Sequence, residues 1–133
     1  MKRLLIQFAK LPTPGQVKTR LIPALGADGA CQLHRRLMAH TLFLLKSFNG
    51  ADHCLWLAGD TDHDELPYWQ DQSAVVWQQG ADLGARMANA LQQGLTEYDQ
   101  VVLVGSDCPA LDQRTLKQAF SALDNHDMVY CPA

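Results

Sequence analysis

The fold is decided by residues 4–21, which read LLIQFAKLPTPGQVKTRL. Residues 4–9 form a short, almost continuously apolar run, which is typical of a buried strand. Pro12, Pro14 and Gly15 follow within a few residues, so the strand ends in a loop whose path these residues restrict. Because the run is apolar at nearly every position rather than at alternate ones, it predicts a strand covered on both faces, as strands of parallel sheets are.

The rest of the chain alternates between strand-like and helix-like segments. Further strands are predicted over residues 54–58, 73–77, 101–104 and 128–131. Helices are predicted over residues 28–48, 82–95 and 112–123, the first capped by Asp28 and stopped by Asn49-Gly50. This alternation predicts the α/β class: a Rossmann-like three-layer αβα sandwich around a mostly parallel sheet, built from right-handed βαβ units. A flavodoxin-like or receiver-type domain is the alternative.

The length and the charge of the chain limit the classes of protein and of partner that are expected. The chain has 133 residues, of which 47% are hydrophobic, and this predicts a single domain over residues 1–133 with a real core. The 11 basic and 14 acidic residues give a net charge of −3, so we expect neither nucleic acid nor a membrane as a partner. No stretch approaches the roughly 18 apolar residues of a membrane span. Because the chain stops directly after its last predicted strand, we expect it to be the N-terminal part of a longer protein.

The cysteines indicate a reducing compartment. None of Cys31, Cys54, Cys108 and Cys131 belongs to a C-x-x-C pair, so neither a zinc ribbon nor a redox motif is predicted. Cys31 and Cys54 lie in or beside strongly apolar segments, where free cysteines are typically buried. We therefore expect free thiols and a cytoplasmic protein.

The loop after the first predicted strand carries three cations, Lys10, Lys18 and Arg20. Loops at the carboxyl ends of parallel strands carry the binding sites of open α/β sheets. Backbone N–H groups near Gly15 can face an anion, Lys18 can act as a point charge, and Arg20 can form a bidentate contact with phosphate oxygens. The spacing differs from that of the P-loop, which has a glycine directly before the lysine. A solvated basic loop is the alternative to a phosphate site.

The second candidate loop covers residues 79–87. Gly80 and Gly84 flank a predicted helix start, so the backbone can approach a ligand closely there. Asp82 stands at the expected N-cap, and helix capping is the alternative to ligand binding for this residue.

The third candidate loop contains Asp107 and follows the strongly apolar strand at residues 101–104. A carboxylate at this edge of the sheet faces the same crevice as the cationic loop, and it repels a phosphate unless a divalent cation lies between them. Mg²⁺ prefers one or two carboxylates together with substrate oxygens. The combination of Lys18, Arg20 and Asp107 therefore fits a metal–nucleotide complex, and a turn or capping role for Asp107 is the alternative.

An acidic stretch over residues 60–65 has the appearance of a metal site. Its Asp60-Thr61-Asp62 spells the D-x-D of many glycosyltransferases, but Glu65 stands where an EF-hand loop needs glycine. We interpret it as a solvated loop that starts a short turn of helix before Leu66-Pro67 and lies away from the cationic loop. The remaining histidines considered show no ligand spacing and are interpreted as structural or helix-surface residues: His34, His40, His53 and His126.

Three motifs, in order, resemble one known family. They are Phe8-Ala9-Lys10 with Pro12, Pro14-Gly15 and Val17-Lys18-Thr19-Arg20-Leu21; Gln79-Gly80, Asp82-Leu83-Gly84 and Arg86-Met87; and Gly105-Ser106-Asp107-Cys108-Pro109 with Leu111. The chain resembles the glycosyltransferase-like proteins of the nucleotide-diphospho-sugar transferase (GT-A) superfamily, once catalogued as a domain of unknown function, some of whose members are called arsenosugar-biosynthesis glycosyltransferases. The resemblance implies a GT-A-type fold, with a nucleotide-binding half followed by an acceptor-binding half.

The resemblance also implies roles for individual residues. It implies nucleotide or phosphate binding by Ala9, Lys10, Gly15, Lys18, Thr19, Arg20, Gln79, Gly80, Asp82 and Gly84, and metal binding by Asp107. The segment from Lys18 to Leu21 is similar to that of guanylyltransferases acting on phospholactate. Gln79 and Gly84 look like base-contacting residues of sugar-nucleotide pyrophosphorylases, and Asp107 looks like their single metal-binding aspartate.

The expected activity is a Mg²⁺- or Mn²⁺-dependent transfer from a nucleoside diphosphate-sugar, with a nucleotide or nucleotide-sugar as the partner. Nucleotidyl transfer from a nucleoside triphosphate is the first alternative, and a non-catalytic nucleotide-binding domain is the second.

Overall fold

The sheet is parallel and has its most buried strand in its interior. The structure is a computed structural model that describes residues 1–106 and 111–124. In those residues the strands are β1 (Arg3–Lys10), β2 (Asp52–Ala58), β3 (Val75–Trp77) and β4 (Gln100–Gly105). They form one sheet in the order β3-β2-β1-β4, and each neighbouring pair is parallel. The predicted Rossmann-like α/β class is therefore confirmed.

Helices cover both faces of this sheet. They are α1 (Ile22–Ser47), α2 (Leu66–Gln72), α3 (Leu83–Leu95) and α4 (Gln113–Leu123), with a 3₁₀ turn at Thr19–Leu21 before α1. On one face, Leu5 of β1 packs with Leu45 of α1 and Leu116 of α4. On the other face, Ile6 packs with Ala90 of α3. Consecutive residues of β1 thus pack against helices on opposite faces of the sheet, which is why the strand is apolar at nearly every central position.

The start of α1 differs from the prediction. The helix begins at Ile22 with Pro23 in its first turn, and it bends at Gly26, whose φ is 74° and ψ 165°. Asp28 is therefore not the N-cap of this helix. Proline is well tolerated in a first helical turn because the N–H groups there have no intrahelical partner. The predicted stop is confirmed, since α1 ends at Ser47 and Gly50 has a φ of 93°.

The other elements follow the predictions more closely. Asp82 caps α3 by accepting a hydrogen bond from the Ala85 N–H at 2.7 Å, and Asp112 caps α4 by accepting one from the Thr115 N–H at 2.8 Å. The predicted helical turn before Leu66 is wrong, because α2 begins at Leu66 and runs to Gln72. The predicted strand at residues 128–131 lies outside the described residues. No described helix is long and apolar enough to cross a bilayer.

The order of the strands defines a switch point. From β1 the chain moves to β2 and β3 on one side, and it then returns to place β4 on the other side of β1. The carboxyl ends of β1 and β4 therefore bound the crevice in which open α/β sheets bind ligands.

Candidate functional site

The loop after β1 begins with a tight turn. The Gln16 N–H donates to the Thr13 carbonyl at 3.0 Å, and Gly15 has a φ of 83°. Proline at the second position and a positive-φ glycine at the third are the signature of a type II turn, which Pro14 and Gly15 provide. The sequence Thr-Pro-Gly-Gln therefore fixes the local backbone.

Apolar side chains anchor this loop to the core. Leu11, Pro12 and Val17 are buried, whereas Thr19 and Arg20 are exposed. The loop is thus pinned at both ends, which limits the ordering that a ligand would have to impose.

Lys18 has an unusual backbone conformation. It is half-buried, and its φ of 51° and ψ of 41° place it in the left-handed region. Its carbonyl accepts a hydrogen bond from the Leu21 N–H at 2.9 Å, which closes the 3₁₀ turn. A non-glycine residue in this region costs of order 1–3 kcal/mol, and such residues cluster at functional sites. The turn presents Arg20, two residues after Lys18, at the surface.

Three carbonyl oxygens at the end of β1 accept hydrogen bonds from side chains of three other segments. The pairs are Gln78 Nε2 to the Ala9 carbonyl at 3.3 Å, His34 Nε2 to the Lys10 carbonyl at 2.7 Å, and His63 Nε2 to the Pro12 carbonyl at 2.7 Å. The position of the loop after β1 is therefore coupled to α1, to the loop after β2 and to the end of β3.

The loop after β3 reaches β1 through Gln78. Its side chain also donates to the Trp56 carbonyl at 2.9 Å, so it spans the carboxyl ends of β2 and β1. Sequence reasoning selected the neighbouring Gln79 and missed Gln78. The signal for it is positional, because it is the first residue beyond β3, where a long amide can reach the adjacent strand ends.

Gly80 allows the backbone of this loop to lie against α3. Its φ is 147°, and a Cβ atom there would lie 2.7 Å from the Arg86 backbone nitrogen. The Arg86 Nε donates to the Gly80 carbonyl at 3.2 Å, and the Asn89 amide donates to the Gln79 carbonyl at 2.7 Å. Asp82 performs the capping role that the sequence left open. Gly84 lies in the same first turn of α3 and is exposed.

The sequence predicts that the acidic loop lies away from the cationic loop, and this prediction is wrong, because the two loops are adjacent. The Leu11 N–H donates to the Ala58 carbonyl at 2.8 Å, and a Cβ atom on Gly59 would lie 3.2 Å from Leu11 Cβ. The two loops are adjacent because β1 and β2 are neighbours in the sheet. The interpretation as a solvated turn is supported by Asp60, which is exposed and whose Oδ1 accepts a hydrogen bond from the Asp62 N–H at 2.9 Å.

Glu65, at the end of this loop, binds Arg35 of α1 through two hydrogen bonds. The Arg35 Nε donates to Oε1 at 2.9 Å and Nη2 donates to Oε2 at 2.7 Å. The guanidinium lowers the pKa of Glu65 below its usual value, since it stabilises the charged carboxylate. The pair fixes the loop after β2 against the same helix that carries His34.

The floor of the crevice is a buried polar network at the switch point. Gln7 of β1 is fully buried, and its Nε2 donates to the Met38 carbonyl at 3.0 Å and to Ser106 Oγ at 2.9 Å. Ser106 Oγ in turn donates to the Phe8 carbonyl at 3.1 Å. Ser106 is thus held against β1 at the end of β4. Asp107, the predicted metal ligand, lies outside the described residues.

The remaining predictions concern cysteines and histidines. Cys31 is buried and Cys54 is partly buried; both are free thiols, and burial raises the pKa of each. Cys108, Cys131 and His126 lie outside the described residues. The structural interpretation of His34 is confirmed in that it is buried and hydrogen-bonded.

A cavity of about 560 Å³ lies elsewhere, between the end of α1 and α4. It is lined by Arg3, Ser47, Phe48, Asn49, Gln113, Lys117, Phe120 and Ser121, none of which is a predicted site residue. The candidate site is instead an open crevice formed by loops.

Fold and comparison together define the class: the chain has the Rossmann-like α/β fold of the nucleotide-diphospho-sugar transferases. The family described as "Uncharacterized protein conserved in bacteria (DUF2064)" matches residues 41–133, and the chain belongs to this family.

Two solved structures are similar to the chain. One is described as a "putative nucleotide-diphospho-sugar transferase" from Desulfovibrio desulfuricans G20; it is 36% identical with a TM-score of 0.83, and the match covers 93% of this chain and 55% of that one. The other is CMP:2-keto-3-deoxy-manno-octonic acid synthetase complexed with CTP, 10% identical with a TM-score of 0.63, covering 97% of this chain and 50% of that one. The second likeness concerns the fold alone. The chain spans about half the length of each, and no curated protein matches it significantly.

Proposed function

We propose that this chain forms the nucleotide-binding part of a metal-dependent transferase that uses a nucleoside diphosphate-sugar. The observation that carries the proposal is the pinned, cationic loop after β1, which lies at the switch point of the sheet. Loops in this position bind ligands in open α/β folds, and three cations, Lys10 at the end of β1 with Lys18 and Arg20 after it, favour an anionic group. The 36% identical relative, described as a "putative nucleotide-diphospho-sugar transferase", supports the same class of ligand.

In this proposal the loop after β1 binds the diphosphate. Arg20 forms a bidentate contact with phosphate oxygens, and Lys18 and Lys10 contribute positive charge. Backbone N–H groups around Gly15 and the Thr19 hydroxyl complete the donor set. As the glycosidic bond breaks, negative charge grows on the departing diphosphate, so donors fixed in advance stabilise the transition state.

The loop after β3 contacts the nucleoside. Gly80 keeps the backbone of this loop against α3, where its exposed backbone can face the ligand, and Gln79 and Gly84 are exposed beside it. The Ala9 backbone lies next to this loop through Gln78, which makes Ala9 a neighbour of the nucleoside. Asp82 caps α3, and in this proposal it also contacts the ligand.

The metal, Mg²⁺ or Mn²⁺, is proposed to bind Asp107. Residues 1–106 and 111–124 contain no group of three or more His, Cys, Asp or Glu side chains that could hold an ion. Mg²⁺ prefers one or two carboxylates together with substrate oxygens, and this mode of ligation needs a single carboxylate from the chain. Once bound, the ion would neutralise charge on the diphosphate leaving group.

Calorimetric titration tests the proposal, preceded by a thermal-shift screen of nucleotides and nucleotide-sugars with and without Mg²⁺ or Mn²⁺. We expect a nucleotide to bind more tightly with metal, and Asp107→Asn to abolish this enhancement while leaving metal-free affinity equal or higher. Asp60→Asn is the matched control, because Asp60 is an exposed carboxylate of the neighbouring loop, and it should keep the enhancement. Full enhancement in Asp107→Asn would reject the metal site.

Product analysis separates glycosyl transfer from nucleotidyl transfer. Release of pyrophosphate from a nucleoside triphosphate would contradict the proposed glycosyl transfer and support the nucleotidyl alternative. Nucleotide binding without turnover, in a longer protein that includes this chain as well, would favour a non-catalytic domain.

A further inference from the structure

Two carbonyl groups, at the end of β1 and just beyond it, accept hydrogen bonds from histidine side chains. The Lys10 carbonyl accepts from His34 and the Pro12 carbonyl accepts from His63, each at 2.7 Å. Carbonyl oxygens carry partial negative charge, so those that face an anion weaken its binding. Hydrogen bonds that hold them toward the protein remove this repulsion.

The geometry places a proton on Nε2 of both imidazoles. A carbonyl oxygen can only accept a hydrogen bond, so Nε2 carries the proton in His34 and in His63. In His63 the other ring nitrogen, Nδ1, accepts a hydrogen bond from the Glu65 N–H at 3.0 Å. His63 therefore bridges the loop after β2 and the loop after β1 through one defined tautomer.

The His63 contact also orients the next peptide group. No described peptide bond is cis, and in a trans peptide the N–H points opposite to the preceding C=O. Because the Pro12 carbonyl points toward His63, the Thr13 N–H points away from the loop after β2. Thr13 opens the turn that contains Gly15, so this N–H belongs to the backbone that would receive a phosphate.

We propose that His34 and His63 are positioning residues of the anion-binding loop: they hold the Lys10 and Pro12 carbonyl oxygens away from the ligand and direct the Thr13 N–H toward it. This inference rests on the proposed function, since it assigns these histidines to the same phosphate site. His34 is 6% exposed and acts from the core side, whereas His63 is half-buried and acts from the neighbouring loop.

The probe is inorganic pyrophosphate without metal, which tests the loop independently of the nucleoside and of Asp107. We expect His63→Leu to raise its dissociation constant about five- to tenfold, the effect of one lost hydrogen bond. His63→Gln should stay within about threefold of the wild type, because its amide nitrogen can replace Nε2 as donor. His40→Leu, on an exposed histidine of α1, is the matched control and should bind as the wild type does.

A spectroscopic measurement separates positioning from general stability. In the wild-type protein the Thr13 amide resonance should shift when pyrophosphate is added, and in folded His63→Leu this shift should shrink. If His63→Leu does not fold, His63→Asn replaces it, since its amide nitrogen corresponds to Nδ1 rather than Nε2 and should bind pyrophosphate as weakly.

Failure of this inference differs from failure of the proposed function. The positioning role alone is overturned if His63→Leu, or His63→Asn in its place, binds pyrophosphate as tightly as the wild type does. It is also overturned if His63→Gln and His63→Leu lose the same amount of pyrophosphate affinity. Wild-type binding of nucleotides but not of pyrophosphate also overturns it. A wild-type protein that binds neither overturns the proposed function and the inference with it.

Discussion

Gln7 and Ser106, which are 99 positions apart in sequence, join β1 and β4 by a buried hydrogen bond of 2.9 Å beneath the crevice. Ser106 is 5% exposed, and Gln7 is not exposed at all. Polar side chains are seldom buried without partners, and each of these has them. Gln7 Oε1, however, is buried with no hydrogen-bond partner among the described residues. The network makes the carboxyl end of β4 rigid just before the predicted metal ligand.

Replacing Gln7 by leucine should destabilise the protein. The Met38 carbonyl and Ser106 Oγ lose a buried donor, and removal of the unpaired Oε1 offsets part of that loss, so we expect about 1 to 2 kcal/mol. Urea unfolding measures the change. Gln92→Leu, at an exposed position of α3, should change the free energy of unfolding by less than about 0.5 kcal/mol. Equal stability of the two variants would contradict the structural role of the network.

Replacing Arg20 by alanine should weaken nucleotide binding and leave folding almost unchanged. Arg20 is exposed, and a charge-assisted hydrogen bond to phosphate contributes about 1.5–3 kcal/mol. Calorimetry gives the affinity and thermal unfolding gives the stability. Arg36→Ala removes an exposed guanidinium from α1 and serves as the control. If both variants bind nucleotide equally well, Arg20 has no part in the site.

Replacing Gly80 by alanine should strain the loop after β3. A Cβ atom would lie 2.7 Å from the Arg86 nitrogen, and the φ of 147° disfavours any residue with a side chain. We expect a loss of about 1–3 kcal/mol in the free energy of unfolding, measured with urea. Gly105→Ala is the matched control, because nothing lies within 4 Å of a Cβ atom there and β4 is extended. A neutral Gly80→Ala would show that this backbone relaxes freely.

Replacing Glu65 by glutamine should destabilise the protein only above acidic pH. Arg35 lowers the pKa of Glu65 in the folded state, so the ion pair stabilises the protein above the usual glutamate pKa and is lost as pH falls through the folded value. Because the pair is partly solvated, we expect roughly 0.5–1 kcal/mol at neutral pH. Unfolding curves of wild type and variant should converge in acid. Glu97→Gln, at an exposed position, should show no such convergence.

Much of the fold was predictable because local signals agreed with it. The apolar run at β1 was predicted, and capping of α3 by Asp82 was one of the two interpretations of that residue, because both depend on neighbouring residues. The start of α1 was missed because Asp28 offered a good cap, whereas the helix has a first segment from Ile22, with Pro23 in its first turn, that joins the rest across a kink at Gly26. Helix α2 was missed because residues 60–65 were interpreted mainly as an acidic loop, and its seven residues show little periodicity.

The candidate site was predictable in its loops but not in their mutual arrangement. Charge and glycine content indicated the loop after β1 and the loop after β3. His63 and Gln78 carry no local signal, because their roles depend on which strands are neighbours in the sheet. The same reason explains the incorrect separation of the acidic loop from the cationic loop. The pairing of β1 with β2 belongs to the tertiary structure, and residue spacing alone does not specify it.

The position of β1 in the sheet also sets the order in which the molecule is completed during synthesis. Arg3 pairs with Gln100, which is 97 positions later in the chain. At roughly 5–20 residues per second, β1 waits about 5–20 s on the ribosome for its second neighbour. Until β4 emerges, one edge of an apolar strand lacks its partner and is open to incorrect pairing. The loop that we propose for phosphate is attached to that strand, so its binding surface is completed only after β4 has emerged.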